Sequence, residues 1–193
     1  MLVILPPSET KRDGGVDGSA LELDALGFLE LQPQRQHAIS ALRQLSRSVA
    51  ASTAALGLGP TQRFEIDRNR SLLTSSTLPA IERYTGVVYD ALDAETLSDD
   101  ARRFAAECLV IGSALFGLLR ASDPIPAYRL SYDSRLGSLR LARLWSAAVA
   151  AQLDQHDGLV LDLRSEAYAA LGRAPVRENS FYVRVVTESA DGR

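Results

Sequence analysis

The chain opens on Leu2-Val3-Ile4-Leu5, an apolar run of strand type that stops at Pro6-Pro7, since two prolines remove successive ladder donors. Ser8 to Gly18 is polar and holds Gly14, Gly15 and Gly18, the composition of an exposed loop. Behind Pro33, Ile39, Leu42, Leu45 and Val49 recur at helical spacing, which predicts one long helix from Arg35 to about Leu56. It ends at Leu56-Gly57-Leu58-Gly59-Pro60, and Thr61 to Leu73 reads as helical again. Thr77 and Pro79 open another helix through Tyr84, Val88 and Leu92, with proline suited to a helix start. Ser98 caps a helix that carries Phe104 and Cys108. Leu109 to Ile111 is a second strand, and Leu115 to Arg120 fits either strand or helix. Ser138 caps a helix with Leu141, Leu144, Trp145 and Ala148 on one face. Leu159 to Leu163 is a third strand, Ser165 to Leu171 a short helix and Phe181 to Thr187 a fourth strand.

Strands separated by helices predict an α/β to α+β architecture, a mixed sheet wrapped by helices. With no repeat or linker in view, residues 1–193 read as one domain, with a helical subregion at 35–92. The 193 residues are 46% hydrophobic and 23% charged, an ordinary globular balance that needs no metal or disulfide to fold. Cys108 is the only cysteine, no secretory core opens the chain, and the apolar runs are too short to span a bilayer. These features predict a cytoplasmic protein with no membrane partner.

Charge changes the picture. The net charge is −3, yet residues 35–83 carry seven arginines against Glu65, Asp67 and Glu82, and residues 120–145 carry five against Asp123 and Asp133. Two basic blocks in an acidic chain can form one positive groove or two solvated helix faces. Lys11 is the only lysine among 21 basic residues.

The motifs for nucleotide loops, dinucleotide folds and nucleophile elbows are absent. His37 and His156 stand alone, so no metal site is expected, and no cofactor either. Two constellations remain. Gly57 and Gly59 between two helices, followed by Arg63, Arg68 and Arg70, suit a helix-hairpin-helix-like element that brings backbone N–H groups to DNA phosphates; a glycine cap followed by proline also joins any two helices. Separately, loops after the strands carry Lys11, Arg120, Tyr128 and Arg129 as a candidate anion-binding cleft, with Lys11, Asp162 and Ser165 as candidates for proton transfer or nucleophilic attack. Asp162, Arg120 and Arg129 suit structural ion pairs equally well.

Several of these segments occur together in a known family. Ile4-Leu5-Pro6-Pro7-Ser8-Glu9-Thr10-Lys11 opens the chain. Tyr84-Thr85-Gly86-Val87-Val88-Tyr89 and Ala94-Glu95-Thr96-Leu97 follow. Gly112 to Arg120, Pro126-Ala127-Tyr128-Arg129-Leu130, Leu144-Trp145 and Leu163-Arg164-Ser165-Glu166-Ala167-Tyr168 complete the set in the same order. The chain resembles the YaaA family of peroxide-stress proteins. That resemblance implies a mixed α/β fold, protection against peroxide by limiting free iron, and binding of duplex or branched DNA through a positive cleft. It implies no particular reaction; the alternative is an enzyme acting on a small anionic metabolite in the strand-end cleft.

Overall fold

The computed structural model describes residues 1–184. In chain order its elements are β1 (Leu2–Leu5), α1 (Gln32–Leu45), α2 (Val49–Leu56), α3 (Phe64–Arg70), β2 (Leu78–Pro79), α4 (Ala80–Arg83), α5 (Val87–Leu92), α6 (Asp99–Cys108), β3 (Leu109–Ser113), β4 (Gly117–Arg120), β5 (Pro124–Ile125), α7 (Leu141–Asp154), β6 (Val160–Asp162), α8 (Glu166–Ala169) and β7 (Ser180–Tyr182). The α/β mixed sheet predicted from the sequence is present. It has five strands in the order β4-β3-β1-β6-β7, with β1 central. β1 pairs in parallel with β3 and β6, β6 in parallel with β7, and β4 runs antiparallel to β3. β2 and β5 make a separate antiparallel ribbon.

The central strands are near-continuous apolar runs because both faces are covered. Ile4, Val110, Ile111, Leu118, Leu119 and Val160 are buried in one core together with Leu31, Leu42 and Trp145. Trp145 of α7 is anchored at its polar end by an Nε1–H donated to the Ala114 carbonyl at 2.9 Å, so the indole is buried without an unmet donor. A smaller cluster of Ile81, Ala94, Ala105 and Ala121 joins α4 to α6.

Three segments depart from the sequence reading. The helix expected from 35 to 56 is two: Ser46 Oγ donates back to the Leu42 carbonyl at 2.7 Å, and Ser48 restarts the chain as the N-cap of α2. Gly57 closes α2 at φ 61, a left-handed turn that costs glycine little. The helix expected through Tyr84 to Leu92 is interrupted by Tyr84, which is extended at φ −73, ψ 146, and by Gly86 at φ 103. α7 starts at Leu141 rather than at a Ser138 cap; Ser138 lies in the turn bridged by Leu136 and Leu139. The ambiguous stretch before Arg120 is strand from Gly117, and residues 185–187 of the expected last strand lie outside the described residues.

Candidate functional site

Pro6 and Pro7 turn the chain away from the carboxyl end of β1, and the loop folds back so that Lys11 bridges Tyr84 in antiparallel fashion. Arg12 N–H donates to the Arg83 carbonyl at 2.9 Å and Thr85 N–H to the Thr10 carbonyl at 3.2 Å, one on each side of the bridge. Arg83, fully buried, pins this loop through donations to the carbonyls of Arg12, Gly14, Ser76 and Ile125. Tyr89 closes it from the other side by donating to the Pro6 carbonyl at 2.8 Å.

Lys11 is thereby buried, with 6% of its surface exposed. Its ammonium donates to the carbonyls of Ser8 at 3.0 Å and Glu9 at 3.2 Å. It lies 4.3 Å from the Tyr128 ring centroid and 5.1 Å from that of Tyr84. The neighbouring carboxylates are committed elsewhere: Glu65 and Asp13 pair with Arg68, and Glu9 pairs with Arg129. Burial lowers the Lys11 pKa to about 7, with Arg129 and Arg68 pushing the same way and Glu65 and Glu9 opposing. Contact with two ring faces contributes only about 0.5–2 kcal/mol, too little to offset the lost hydration of an ammonium.

Beside the amine runs an ordered chain of hydroxyls. Ser113, at the carboxyl end of β3, accepts from the N–H groups of Leu115 at 3.2 Å and Phe116 at 3.0 Å. Both lone pairs are then occupied, so the Ser113 proton goes to the Tyr128 hydroxyl at 2.8 Å. Tyr128 and Tyr84 share the next hydrogen bond at 2.7 Å, and since the Tyr128 hydroxyl already accepts from Ser113 and has no other acceptor among the described residues, its proton goes to Tyr84. Burial pushes both phenols up, far from ionisation at neutral pH. Tyr168, half-buried and set edge-on to Tyr132, has its phenol raised to about 12 mainly by burial.

The cationic wall is Arg129. Asn69 of α3 fixes its backbone by a reciprocal pair, Nδ2 to the Arg129 carbonyl at 2.9 Å and Arg129 N–H to Oδ1 at 2.8 Å. The guanidinium pairs with the half-exposed Glu9. A cavity of about 330 Å³ adjoins this loop, lined in part by Pro7, Ser8, Thr10, Thr85 and Tyr89.

Of the residues expected to share an anion-binding cleft, the structure brings Lys11, Tyr128 and Arg129 together and leaves Arg120 apart. Arg120 pairs in register with Val110, near the start of β3 and thus at the other end of the sheet. There its guanidinium stacks over Phe28 and donates to the Glu107 carbonyl. Antiparallel β4 explains this, because a residue at its carboxyl end returns to the amino end of its neighbour. Asp162 binds Arg164 in a buried bidentate pair, Nε to Oδ1 at 2.8 Å and Nη2 to Oδ2 at 2.7 Å. Ser165 is an exposed cap of α8, accepting from Tyr168 N–H at 3.4 Å. Neither bonds to the Lys11 network among the described residues.

The arginines after the Gly57–Gly59 turn are partly spent. Gly59 N–H donates to Gln62 Oε1 at 2.9 Å. Arg68 turns inward to Glu65 and Asp13, while Arg70 bonds Asp67 and the Ser46 carbonyl, and Arg63 is exposed. Arg70 also lines a cavity of about 280 Å³ with Ser40, Arg43, Gln44 and Arg47. Tyr84, Ser113 and Asn69 went unnoticed as site residues in the sequence. Tyr84 read as part of a helix, and a serine ending an apolar strand carries no signal of its own.

Comparison with known proteins decides the lineage. A family model described as peroxide stress protein YaaA matches residues 1–193. The chain belongs to the YaaA family. A UPF0246 protein of Corynebacterium glutamicum is 43% identical over 197 positions, covering 100% of this chain and 76% of its own length. One from Streptomyces coelicolor is 42% identical, covering 88% of this chain and 66% of its own length. Another, from Psychromonas ingrahamii, is 32% identical across 87% of this chain and 68% of its own. Membership of the YaaA family carries a general role in the peroxide stress response. No helix among the described residues is long and apolar enough to cross a membrane.

Proposed function

We propose that this YaaA-family chain acts in the peroxide stress response by binding, and chemically acting on, a small anionic metabolite at the Lys11 cleft. The observation that carries the reading is a buried amine with no carboxylate partner, held between two phenol rings and two carbonyls. A buried ammonium unmatched by a carboxylate costs stability, and such a cost is tolerated where a ligand or a proton transfer makes use of it. Arg129 supplies the anion contact, with Glu9 occupying it when the cleft is free. An incoming dianion restores the charge balance around Lys11 and favours its protonated form.

The test is thermal unfolding with oxalate as a minimal dianion probe, at two pH values either side of 7. The melting temperature is expected to rise with oxalate, more at the lower pH because Lys11 takes up a proton on binding, and Arg129→Ala is expected to abolish the rise. No rise in the wild type, or an equal rise in the variant, removes the anion site.

A second reading is DNA binding through a basic cleft, alongside limitation of free-iron damage. It is favoured by the cavity that Arg43, Arg47 and Arg70 share, with the Gly57–Gly59 turn and exposed Arg63 on the same helical region. Fluorescence anisotropy with duplex and four-way-junction DNA at two salt concentrations tests it. Backbone contacts predict affinity that falls steeply with salt and a shallower slope in Arg63→Glu with Arg70→Glu. An unchanged slope takes that surface out of the interface.

A further inference from the structure

We infer that the Lys11 amine forms an imine with a small carbonyl acid, a 2-oxo acid or an aldehyde acid, whose carboxylate displaces Glu9 from Arg129 and whose carbonyl oxygen is served by the Tyr84 proton. This deepens the anion-site reading and rests on it.

Three observations converge. The first is compositional: 20 of 21 basic residues are arginine, and of the two buried cations here that bond only to carbonyls, Arg83 and Lys11, the lysine alone is an amine. A guanidinium supplies charge but cannot give up its proton, whereas an amine can and then becomes a nucleophile. The second is the direction of the hydroxyl chain. Ser113 donates to Tyr128 and Tyr128 to Tyr84, which leaves the Tyr84 proton without a protein acceptor among the described residues. The amine lies against the rings of these same two tyrosines, so the nucleophile and the hydroxyl chain share one pair of side chains. The third is Glu9, half-exposed yet joined to Arg129; its carboxylate stands where a ligand's carboxylate would sit. The charged groups around the amine are Glu65 and Arg68 from α3, Arg129 from the segment after β5, and Glu9 from its own loop.

The step balances with no outside reagent. The neutral amine attacks the carbonyl carbon with its lone pair, and the carbonyl π pair moves to oxygen, which takes the Tyr84 proton. One proton from nitrogen restores Tyr84. The carbinolamine oxygen takes a second proton from Tyr84 and leaves as water, and the remaining N–H proton restores Tyr84 again. Amine plus carbonyl gives imine plus one water.

The full chain is incubated with glyoxylate and sodium cyanoborohydride, and the adducts are mapped by peptide mass spectrometry. With a single lysine, the only amines are Lys11 and the Met1 terminus, so Met1 is an internal reference. The expected result is a carboxymethyl adduct on Lys11, at least about tenfold slower in Tyr84→Phe while Met1 reacts unchanged. Arg129→Gln, which spares the hydroxyl chain, is expected to slow glyoxylate trapping on Lys11 by at least about tenfold while leaving acetaldehyde trapping alone. Reaction at Met1 only, or equal Lys11 rates in both variants and wild type, overturns the imine. If oxalate still stabilises the protein in that case, the anion site stands and only the imine falls; loss of both removes the whole reading.

Discussion

Arg164 and Lys11 are both buried cations near the carboxyl ends of neighbouring parallel strands, and they are built in opposite ways. Arg164 has its charge answered in full: Asp162 accepts from its Nε and Nη2, and the Gly172 carbonyl accepts from Nη2 at 2.8 Å. Its aliphatic stem lies so close over β3 that a Cβ at Gly112 would stand 2.7 Å from its Cδ. Lys11 has two carbonyls and two ring faces but no carboxylate. A bidentate pair fixes a guanidinium in both position and direction, so Arg164 fastens the end of β6 to the Gly172 carbonyl while its stem packs over β3. An ammonium supported only by dipoles and rings is poised between its two protonation states. The difference separates a cation whose charge is met by a carboxylate from an amine that has none, and burial alone does not distinguish them.

The comparison breaks most sharply at the paired cation. Asp162→Ala strands the Arg164 guanidinium in the sheet and is expected to cost about 3–5 kcal/mol, read by chemical denaturation; a loss under about 1 kcal/mol would mean that Arg164 is not held as described. Lys11 should respond with the opposite sign. Its pKa falls from 10.5 in the unfolded chain to about 7 in the folded one, so the unfolded chain binds more protons between those values. Stability therefore rises with pH across that window and levels off below 7, by about 1.4 kcal/mol for each pH unit where the difference is fully developed. Lys11→Met is expected to flatten this rise and to be the more stable protein at neutral pH; identical pH profiles would return Lys11 to the class of satisfied cations.

Smaller effects sharpen the picture. Tyr128→Phe removes the middle of the Ser113–Tyr128–Tyr84 chain and is expected to cost about 1–3 kcal/mol by leaving buried groups unmatched. Least of all, Asp67→Ala opens the exposed Arg70–Asp67 pair and is expected to change stability by under about 1 kcal/mol. Equal effects at Tyr128 and Asp67 would mean that the hydroxyl chain is no better ordered than the surface.

Much of the fold was legible in the sequence. The apolar run before Pro6, the strand at Leu109 and the run ending near Leu163 are the three central parallel strands, because a strand buried on both faces leaves an uninterrupted apolar signature. The errors have local causes. Leu45 and Val49 keep helical spacing across the break made by Ser46 and Ser48, so periodicity alone could not see two helices. Tyr84 and Val88 are also four apart, yet Tyr84 points into the buried cleft and Val88 is 42% exposed; the intervening Gly86 was the signal that the spacing was accidental. In the site, Lys11, Tyr128 and Arg129 could be proposed from strand-end loops. Arg120 was misplaced because the stretch before it could not be assigned a direction.

By itself the sequence determined the family, the strand-and-helix order and the rarity of lysine, since these depend on residue identity and local periodicity alone. Only the tertiary structure decided which cations share a space, which carboxylates are already taken and which way the hydroxyls point. Those are relations between residues as far apart as Glu9 and Arg129, or Tyr84 and Tyr128, brought together by a parallel crossover and one antiparallel strand. Burial and pairing set the proton affinity of an amine, and neither is a property of the lysine on its own.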